Sequence, residues 1–141
     1  MVDGDPRSEY PLGTRRPDLV RTPSGLALSE LTLDALRAGA ISSDDVRATP
    51  ETLRRQGAIA RAAGRTQLAE NLERAAELAG VPDDAILEIY TALRPGRSKP
   101  DELEAWAQRL ESKLGAPRVA AFVREAHEAY EARGLFARDA S

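Results

Sequence analysis

The sequence predicts an all-α protein, a small bundle of about five main helices preceded by an extended N-terminal arm punctuated by prolines. From residue 30 onward, apolar side chains recur every three or four positions, which is the spacing of one helix face. No β-branched segment alternates between apolar and polar residues, so no sheet is expected. We therefore expect residues 1–29 to form the arm and residues 30–141 to form an all-helical domain.

The arm shows no helical period, and its apolar residues are isolated points. Its prolines are Pro6, Pro11, Pro17 and Pro23. The run Thr22-Pro23-Ser24-Gly25 predicts a turn, because proline presets φ at the second position and glycine closes the turn. An arm of this composition either wraps a partner protein or stays disordered, and the sequence leaves both alternatives open.

Two short helical segments follow the arm. Thr32 is placed to cap a short helix that ends at Gly39. Ser42 or Ser43 is placed to cap a single turn that runs through Val46.

The main helices have equally clear ends. The first begins at Thr49-Pro50-Glu51, where a capping hydroxyl precedes a proline at the first helical position. Glycine or proline closes each helix. The expected helices run from Pro50 to Gly64, over about 65–79, from Pro82 to Leu93, over about 99–114 with Ser98 as the cap, and from Pro117 to about 133.

Four of these helices carry one apolar stripe each. The stripes are Leu68, Leu72, Ala75, Ala76 and Ala79; Ile86, Ile89, Tyr90 and Leu93; Leu103, Trp106, Ala107, Leu110 and Leu114; and Val119, Phe122, Val123, Ala126 and Tyr130. Much of the apolar content is alanine, which has little surface to bury. The chain is therefore expected to gain stability from a partner surface.

The composition excludes several function classes. The 23 acidic and 20 basic side chains nearly balance, which indicates neither a nucleic-acid partner nor an anionic membrane. The lack of cysteine excludes disulfides, thiolate metal sites and a thiol nucleophile, and one histidine cannot build a His-rich metal site. No apolar run reaches the ~20 residues of a membrane span. The start MVDGDPRSEY is polar and acidic, unlike a secretory signal, so we expect a cytoplasmic protein.

Carboxylates crowd one helix face at Glu70, Glu73 and Glu77. A di-iron bundle site would need Glu-x-x-His on two helices, and the lone His127 has the wrong spacing. We interpret the glutamates as a solvated face and His127 as a residue at the edge of an apolar stripe. A general base would also need a cleft and a partner, and the sequence nominates neither.

Adjacent acids at Asp83 and Asp84 resemble a catalytic pair. They also fall in a first helical turn, where carboxylates stabilise free amides and the helix dipole, so capping is the better interpretation. The pair Asp44-Asp45 follows the same logic.

Two arginine-rich stretches remain. The first, Arg54, Arg55, Arg61 and Arg65, is flanked by glutamates and lacks the basic surplus typical of a DNA-binding domain. The second is the loop Arg94-Pro95-Gly96-Arg97-Ser98, whose two arginines can grip carboxylates or carbonyls of a partner. A plain exposed linker is the alternative for this loop.

Several motifs in order resemble the small subunit of the adenosylcobalamin-dependent diol and glycerol dehydratases. The resemblance runs from about Tyr10 to about Arg133. Its segments are Tyr10-Pro11-Leu12; Thr22-Pro23-Ser24-Gly25; Leu31-Thr32-Leu33; Asp45-Val46-Arg47; Pro50-Glu51-Thr52-Leu53-Arg54; GRTQLAEN; RAAEL; VPDDAILEIYTALRP with Arg97-Ser98; and AAFVREA followed by Tyr130.

The resemblance implies a heterohexamer of large, medium and small subunits, two copies of each, which converts a 1,2-diol such as propane-1,2-diol or glycerol to an aldehyde with loss of water. It places substrate and cation in the TIM barrel of the large subunit and adenosylcobalamin between the large and medium subunits. The small subunit supplies no catalytic residue. We accordingly expect no catalytic, cofactor-binding or metal-binding residue in this chain, and no nucleic-acid or membrane partner.

Five residues are candidates for contacts with the large subunit, on the basis of residue type and motif membership. They are Tyr10, Leu12, Tyr90, Arg94 and Arg97. The alternative function is a free-standing helical adaptor or DNA-binding regulator, and a self-sufficient small enzyme is a weaker alternative. The preferred diol, association with a bacterial microcompartment and folding without partners stay open.

Overall fold

A computed structural model describes residues 4–138 of the chain. Within this range the backbone forms helices and no strand, with one isolated bridge between Arg21 and Ala27. The α-helices are α1 (Leu12–Arg15), α2 (Leu33–Arg37), α3 (Pro50–Ala62), α4 (Thr66–Leu78), α5 (Asp83–Ala92), α6 (Pro100–Ser112) and α7 (Pro117–Arg133). The predicted all-α class is confirmed.

The chain divides into two compact units, Met1–Ala79 and Gly80–Ser141. The residues of the predicted arm belong to the first unit, and the turn Pro6–Glu9 contacts α3. The predicted boundary at residue 29 stays a prediction. The contacts nevertheless group the described part of the arm with the helices that follow it.

The arm contains short helical turns that the lack of a sequence period did not indicate. They are Pro6–Glu9, Leu12–Arg15, Pro17–Leu19 and Leu28–Glu30. The Asp5 carboxylate caps the first turn by accepting a hydrogen bond from the Arg7 backbone N–H at 3.0 Å. Prolines open two of the turns because their ring fixes φ near the helical value. Arg16, directly before Pro17, leaves the helical region with φ of −136°, so α1 stays short.

The predicted turn and the first predicted cap are both present. The Gly25 backbone N–H donates to the Thr22 carbonyl at 2.9 Å and closes the turn. The Thr32 hydroxyl accepts a hydrogen bond from the Ala35 backbone N–H at 3.1 Å and caps α2. These local hydrogen bonds give regular structure to a region with few buried apolar side chains.

Helices α3 and α4 form the first helical hairpin. Thr49 caps α3, since its hydroxyl oxygen accepts from the Thr52 backbone N–H at 3.3 Å. Small residues line the contact: Gly57, Ala60, Ala69 and Ala76 are all buried. A Cβ atom added at Gly57 would lie 3.5 Å from the Ala69 carbonyl oxygen, so the two backbones approach closely here.

Helices α6 and α7 form the second helical hairpin, and their contact is filled by larger side chains. Leu103, Leu110 and Val123 are its largest fully buried residues. The prediction that Ser98 caps α6 is wrong. Lys99 is the N-cap, and the Glu102 carboxylate accepts from its backbone N–H at 2.8 Å. Glu102 stands three residues after Lys99 and satisfies this amide directly, which leaves the Ser98 hydroxyl for another partner.

Helix α7 ends at Gly134 in the left-handed region, with φ of 62°. The following Leu135 backbone N–H donates to the Tyr130 carbonyl at 2.9 Å, which closes the helix and reverses the chain direction. The reversal sends residues 135–137 back towards the connection between α5 and α6.

Candidate protein-binding surface

The five predicted contact residues lie in both units. In the first unit, Tyr10 is 68% exposed, whereas Leu12 is 6% exposed and belongs to that unit's core. In the second unit, Tyr90 lies on α5 at 69% exposure, and Arg94 and Arg97 are exposed in the connection to α6. The structure therefore brings Tyr90 and the two arginines to one end of α5. Leu12 offers a partner little surface in this conformation.

An apolar groove runs between the arm and the first helical hairpin. It has a volume of about 620 Å³, and Leu12, Ile59 and Leu68 are among its lining residues. Tyr10 lines its edge, and the Tyr10–Pro11 peptide bond is cis. The side chain of Leu68 is 43% exposed, so this unit keeps accessible apolar surface beside its core.

A second groove, between α5 and α6, has a volume of about 840 Å³. Its lining includes Leu87, which is 66% exposed, and Trp106. The Arg109 guanidinium lies 4.7 Å from the centroid of the Trp106 ring and 3.9 Å from a Glu88 carboxylate oxygen. Arg97 stands at the rim of the same groove. A half-buried tryptophan beside exposed leucine and arginine side chains is typical of protein-binding surfaces.

The connection Arg94–Ser98, which we call the arginine turn, is held by hydrogen bonds at both ends. At its start, the Tyr130 hydroxyl donates to the Leu93 carbonyl. At its end, the Ser98 hydroxyl donates to the Ala92 carbonyl at 2.8 Å. Ser98 is buried, while Arg94 and Arg97 project from the surface and form no ion pair within residues 4–138. The turn thus has a hydrogen-bonded backbone and two exposed arginines without an ion pair among the described residues.

Residues 135–137 add two backbone hydrogen bonds to the arginine turn. The Gly96 N–H donates to the Leu135 carbonyl at 2.8 Å, and the Ala137 N–H donates to the Ser98 carbonyl at 2.9 Å. Sequence reasoning missed these contacts, because nothing local indicates that residues almost 40 positions apart are paired. The only sequence signal was Gly134, which predicts where the helix ends and gives no direction for the chain beyond it.

Asp45 organises a polar cluster in the first unit. Its buried carboxylate accepts from the Ser42 backbone N–H at 2.8 Å, from the Ser42 hydroxyl at 2.9 Å and from the Ser24 hydroxyl. The Ser24 bond, followed by the Ser42 bonds, lowers the pKa of Asp45 from 3.8 to about 2. The predicted capping role is present, and the cluster also joins the Thr22–Gly25 turn to the turn Ser43–Val46. Only the local part of this arrangement was predicted.

The residues that resembled catalytic groups have structural contacts. Glu73 pairs with Arg61 at 2.7 Å. The Asp84 carboxylate accepts from the Ala85 backbone N–H at 2.8 Å in the first turn of α5. The His127 ring lies 5.0 Å from the ring of Phe136 in an edge-on arrangement.

Searches for a metal site and for a membrane span give no candidate in the described range. Within residues 4–138, no group of three or more His, Cys, Asp or Glu side chains is placed to hold a metal ion. Likewise, no helix in this range combines the length and the apolarity that crossing a bilayer requires.

Comparison with known proteins defines the class. A family model described as dehydratase small subunit matches residues 6–137, so the chain belongs to the dehydratase small subunit family. The propanediol dehydratase small subunit of Citrobacter freundii is 51% identical over 126 residues, which are 89% of this chain and 73% of that protein. The propanediol dehydratase small subunit of Salmonella typhimurium strain LT2 is also 51% identical, over the same shares of the two chains.

The family expected from the motifs is therefore confirmed. A small subunit is one component of a larger enzyme, so other dehydratase subunits are partners of this chain. The alternative of a free-standing adaptor or DNA-binding regulator is not favoured by these matches.

Proposed function

We propose that this chain is the small structural subunit of an adenosylcobalamin-dependent diol dehydratase. The complex converts a 1,2-diol to an aldehyde and water by a radical mechanism. The observation that carries the proposal is the 51% identity to two propanediol dehydratase small subunits across 89% of the chain. Propane-1,2-diol is accordingly the first substrate to test, with glycerol second.

In this proposal the small subunit contributes binding energy and no reacting group. Adenosylcobalamin lies between the large and medium subunits and supplies the radical that activates the diol. The substrate and the cation lie in the barrel of the large subunit. The complex is a heterohexamer with two copies of each subunit. We place the complex in the cytoplasm. Cell fractionation would test whether it also associates with a bacterial microcompartment.

The surface of the second unit supports a docking role. Tyr90 and Leu87 lie three residues apart on α5 and are both largely exposed, so they share one helix face. Covering an apolar side chain of this size contributes about 1.5–3 kcal/mol. Arg94 and Arg97 follow on the arginine turn, are exposed, and can bind carboxylates in bidentate geometry. Together these residues combine apolar contact area with charge-based orientation.

The direct test is co-expression of this chain with the large and medium subunits encoded beside it. Native mass spectrometry should show one complex with all three components. Turnover of propane-1,2-diol to propanal with added adenosylcobalamin should depend on this chain. If the large and medium subunits assemble and turn over fully without it, the structural-subunit proposal is wrong.

The docking surface has its own test. The double variant Arg94→Ala/Arg97→Ala should weaken association with the large and medium subunits, because two charge-assisted contacts are lost. The control Lys113→Ala/Arg133→Ala removes two exposed positive charges from the same unit. Equal weakening by both double variants would show that only total charge matters and would contradict the assigned surface.

A further inference from the structure

The arginine turn has one backbone hydrogen bond of its own, from the Arg97 N–H to the Arg94 carbonyl at 3.1 Å. It contains Gly96 with φ of 75°, and its two arginines form no ion pair within the described range. A glycine-containing turn with long side chains loses considerable conformational entropy when it is fixed. Contacts from outside the turn therefore add to the stability of the conformation that presents the arginines.

Residues 135–137 are placed to do this, and we call them the C-terminal strap. The strap bonds to the turn at two backbone positions, Gly96 and Ser98, at 2.8 and 2.9 Å. Between these bonds, the ring of Phe136 packs edge-on against His127 and Tyr130, with centroid distances of 5.0 and 5.9 Å. The ring contacts fix the strap to α7, and the backbone bonds fix the turn to the strap.

Tyr130 connects the two parts of this arrangement. Its ring contacts Phe136 of the strap, and its hydroxyl donates to the Leu93 carbonyl directly before the turn. One side chain of α7 therefore contacts both the strap and the entry to the turn. Edge-on aromatic pairs contribute energy beyond the apolar area they bury, so the arrangement favours a single conformation.

We propose that the C-terminal strap is a positioning segment, which holds Arg94 and Arg97 ready to bind a carboxylate-bearing segment of the large subunit. The inference rests on the proposed function and deepens it. The partner chemistry follows from charge complementarity, because two exposed guanidinium groups that form no ion pair with residues 4–138 are best satisfied by carboxylates. Holding the turn beforehand removes its ordering cost from the binding step.

The first readout is proteolysis of the full chain by trypsin, which cleaves after arginine. The Arg94–Pro95 bond is protected by its proline, so Arg97–Ser98 is the susceptible bond of the turn. The Ala137 N–H bond to the Ser98 carbonyl lies directly beside that bond. Opening the strap should therefore speed cleavage at Arg97–Ser98.

Two variants open the strap in different ways. Phe136→Ala removes the ring contacts. Ala137→Pro removes the N–H that bonds to Ser98 and takes away no buried side chain. The controls are Phe136→Tyr, which keeps an aromatic ring, and Ala137→Ser, which keeps the N–H.

The second readout is affinity for the large and medium subunits. If the strap-open turn adopts its binding conformation about one tenth of the time, affinity falls about 10-fold. Both opening variants should show this loss together with faster cleavage, and both controls should resemble the parent chain. Trp106, the single tryptophan and a residue of α6, should report only a slightly lower unfolding midpoint, because the opening variants remove strap contacts and leave the core between α6 and α7 unchanged.

The outcomes separate the two proposals. If Arg94→Ala/Arg97→Ala weakens binding while Phe136→Ala and Ala137→Pro do not, the strap is not a positioning segment and the docking surface stands. A binding loss accompanied in every opening variant by a large fall of the Trp106 midpoint would show general destabilisation and overturn the inference. If no variant affects binding and the complex forms without this chain, the proposed function itself fails.

Discussion

The two helical hairpins solve the same packing problem with different side chains. In α3–α4 the buried residues are glycine and alanine apart from Ile59, and the backbones approach closely around Gly57. In α6–α7 the contact is filled by leucine and valine, with Leu103 and Leu110 fully buried. Two helices joined by a short connection can therefore pack with their backbones close together or with large side chains that fill the space between them.

The difference shows where each hairpin gains its stability. Leucine and valine bury enough area for α6–α7 to be stabilised by its own contact. Each alanine of α3–α4 has less side-chain area to bury than a leucine or valine, and Leu68 of α4 stays 43% exposed. The first hairpin therefore depends more on what covers it, which agrees with its place in a subunit of a larger complex.

The largest expected effect comes from deleting volume in the second hairpin. Leu110→Ala should lower the free energy of unfolding by about 2–5 kcal/mol, because it leaves a cavity between α6 and α7. Urea unfolding followed by Trp106 fluorescence measures this hairpin directly, since Trp106 is the only tryptophan and lies on α6.

The matched control is Leu87→Ala on α5, which removes the same side chain from an exposed position. It should leave the unfolding midpoint nearly unchanged. Similar losses for both leucines would contradict the assignment of Leu110 to a self-contained core.

The next largest effect is expected when side-chain volume is added to the first hairpin. Gly57→Val should destabilise the protein by about 1–3 kcal/mol, because the extra carbons have no space between α3 and α4. A single Cβ at this position meets the Glu73 side chain at 3.4 Å and the Ala69 carbonyl oxygen at 3.5 Å, which are ordinary contacts.

Gly57→Ala is the control and should be neutral or stabilising, by up to about 1 kcal/mol, since alanine favours the helix. Far-UV circular dichroism during thermal unfolding compares the three proteins. A valine variant as stable as the alanine variant would show that α3 and α4 do not approach closely at Gly57.

A smaller effect is expected at the start of the first hairpin. Thr49→Ala should cost about 1 kcal/mol, because the Thr52 amide loses its hydroxyl acceptor. Thr49→Ser keeps the hydroxyl and should preserve stability. Chemical denaturation of the two variants, measured side by side, decides whether the cap contributes.

The smallest expected effect is a loss of stability that occurs only at acid pH. The pKa of Asp45 is about 2 in the folded chain against an ordinary 3.8, so its hydrogen bonds stabilise the fold above pH 3.8. That contribution is lost as pH falls from about 4 to about 2. We expect the unfolding midpoint of the protein to drop over this window, as followed by circular dichroism.

The Asp45→Asn variant provides the comparison for the acid window. It should show a flatter pH dependence there, because the titrating group is gone. The pKa values of Asp5 and Asp18, lowered mainly by hydrogen bonds from Arg7 and Arg16, are unaffected and cancel in the difference. Identical pH profiles for the two proteins would exclude Asp45 as the cause.

Much of the fold was predictable because helix ends are determined by a few neighbouring residues in the sequence. Thr49 with Pro50, and Pro117, predict helix starts within one or two residues of those observed. The one wrong cap, Ser98, stands next to Lys99, whose amide is satisfied by Glu102. Hydroxyl residues alone therefore do not fix a cap when a carboxylate three residues later competes.

The candidate surface was less predictable, because burial and long-range pairing depend on the whole unit. Leu12 and Tyr10 are two residues apart in one motif, yet one is buried and the other is exposed. Ser24 bonds to Asp45 and Ala137 bonds to Ser98 across long stretches of chain. Residue type indicates which side chains can form contacts with a partner protein. Packing within the unit decides which of them are exposed.

The reversal of the chain after Gly134 also decides how this subunit should be labelled. The backbone of Ala137 is bonded to Ser98, so residue 138 follows directly on a contact with the arginine turn. A large tag inserted at residue 138 would crowd the turn and weaken pull-down assays. A small dye is better suited to this place: the chain has no cysteine, so Arg138→Cys would accept a thiol-reactive fluorophore at a single position. Its emission would report complex formation from beside the turn itself.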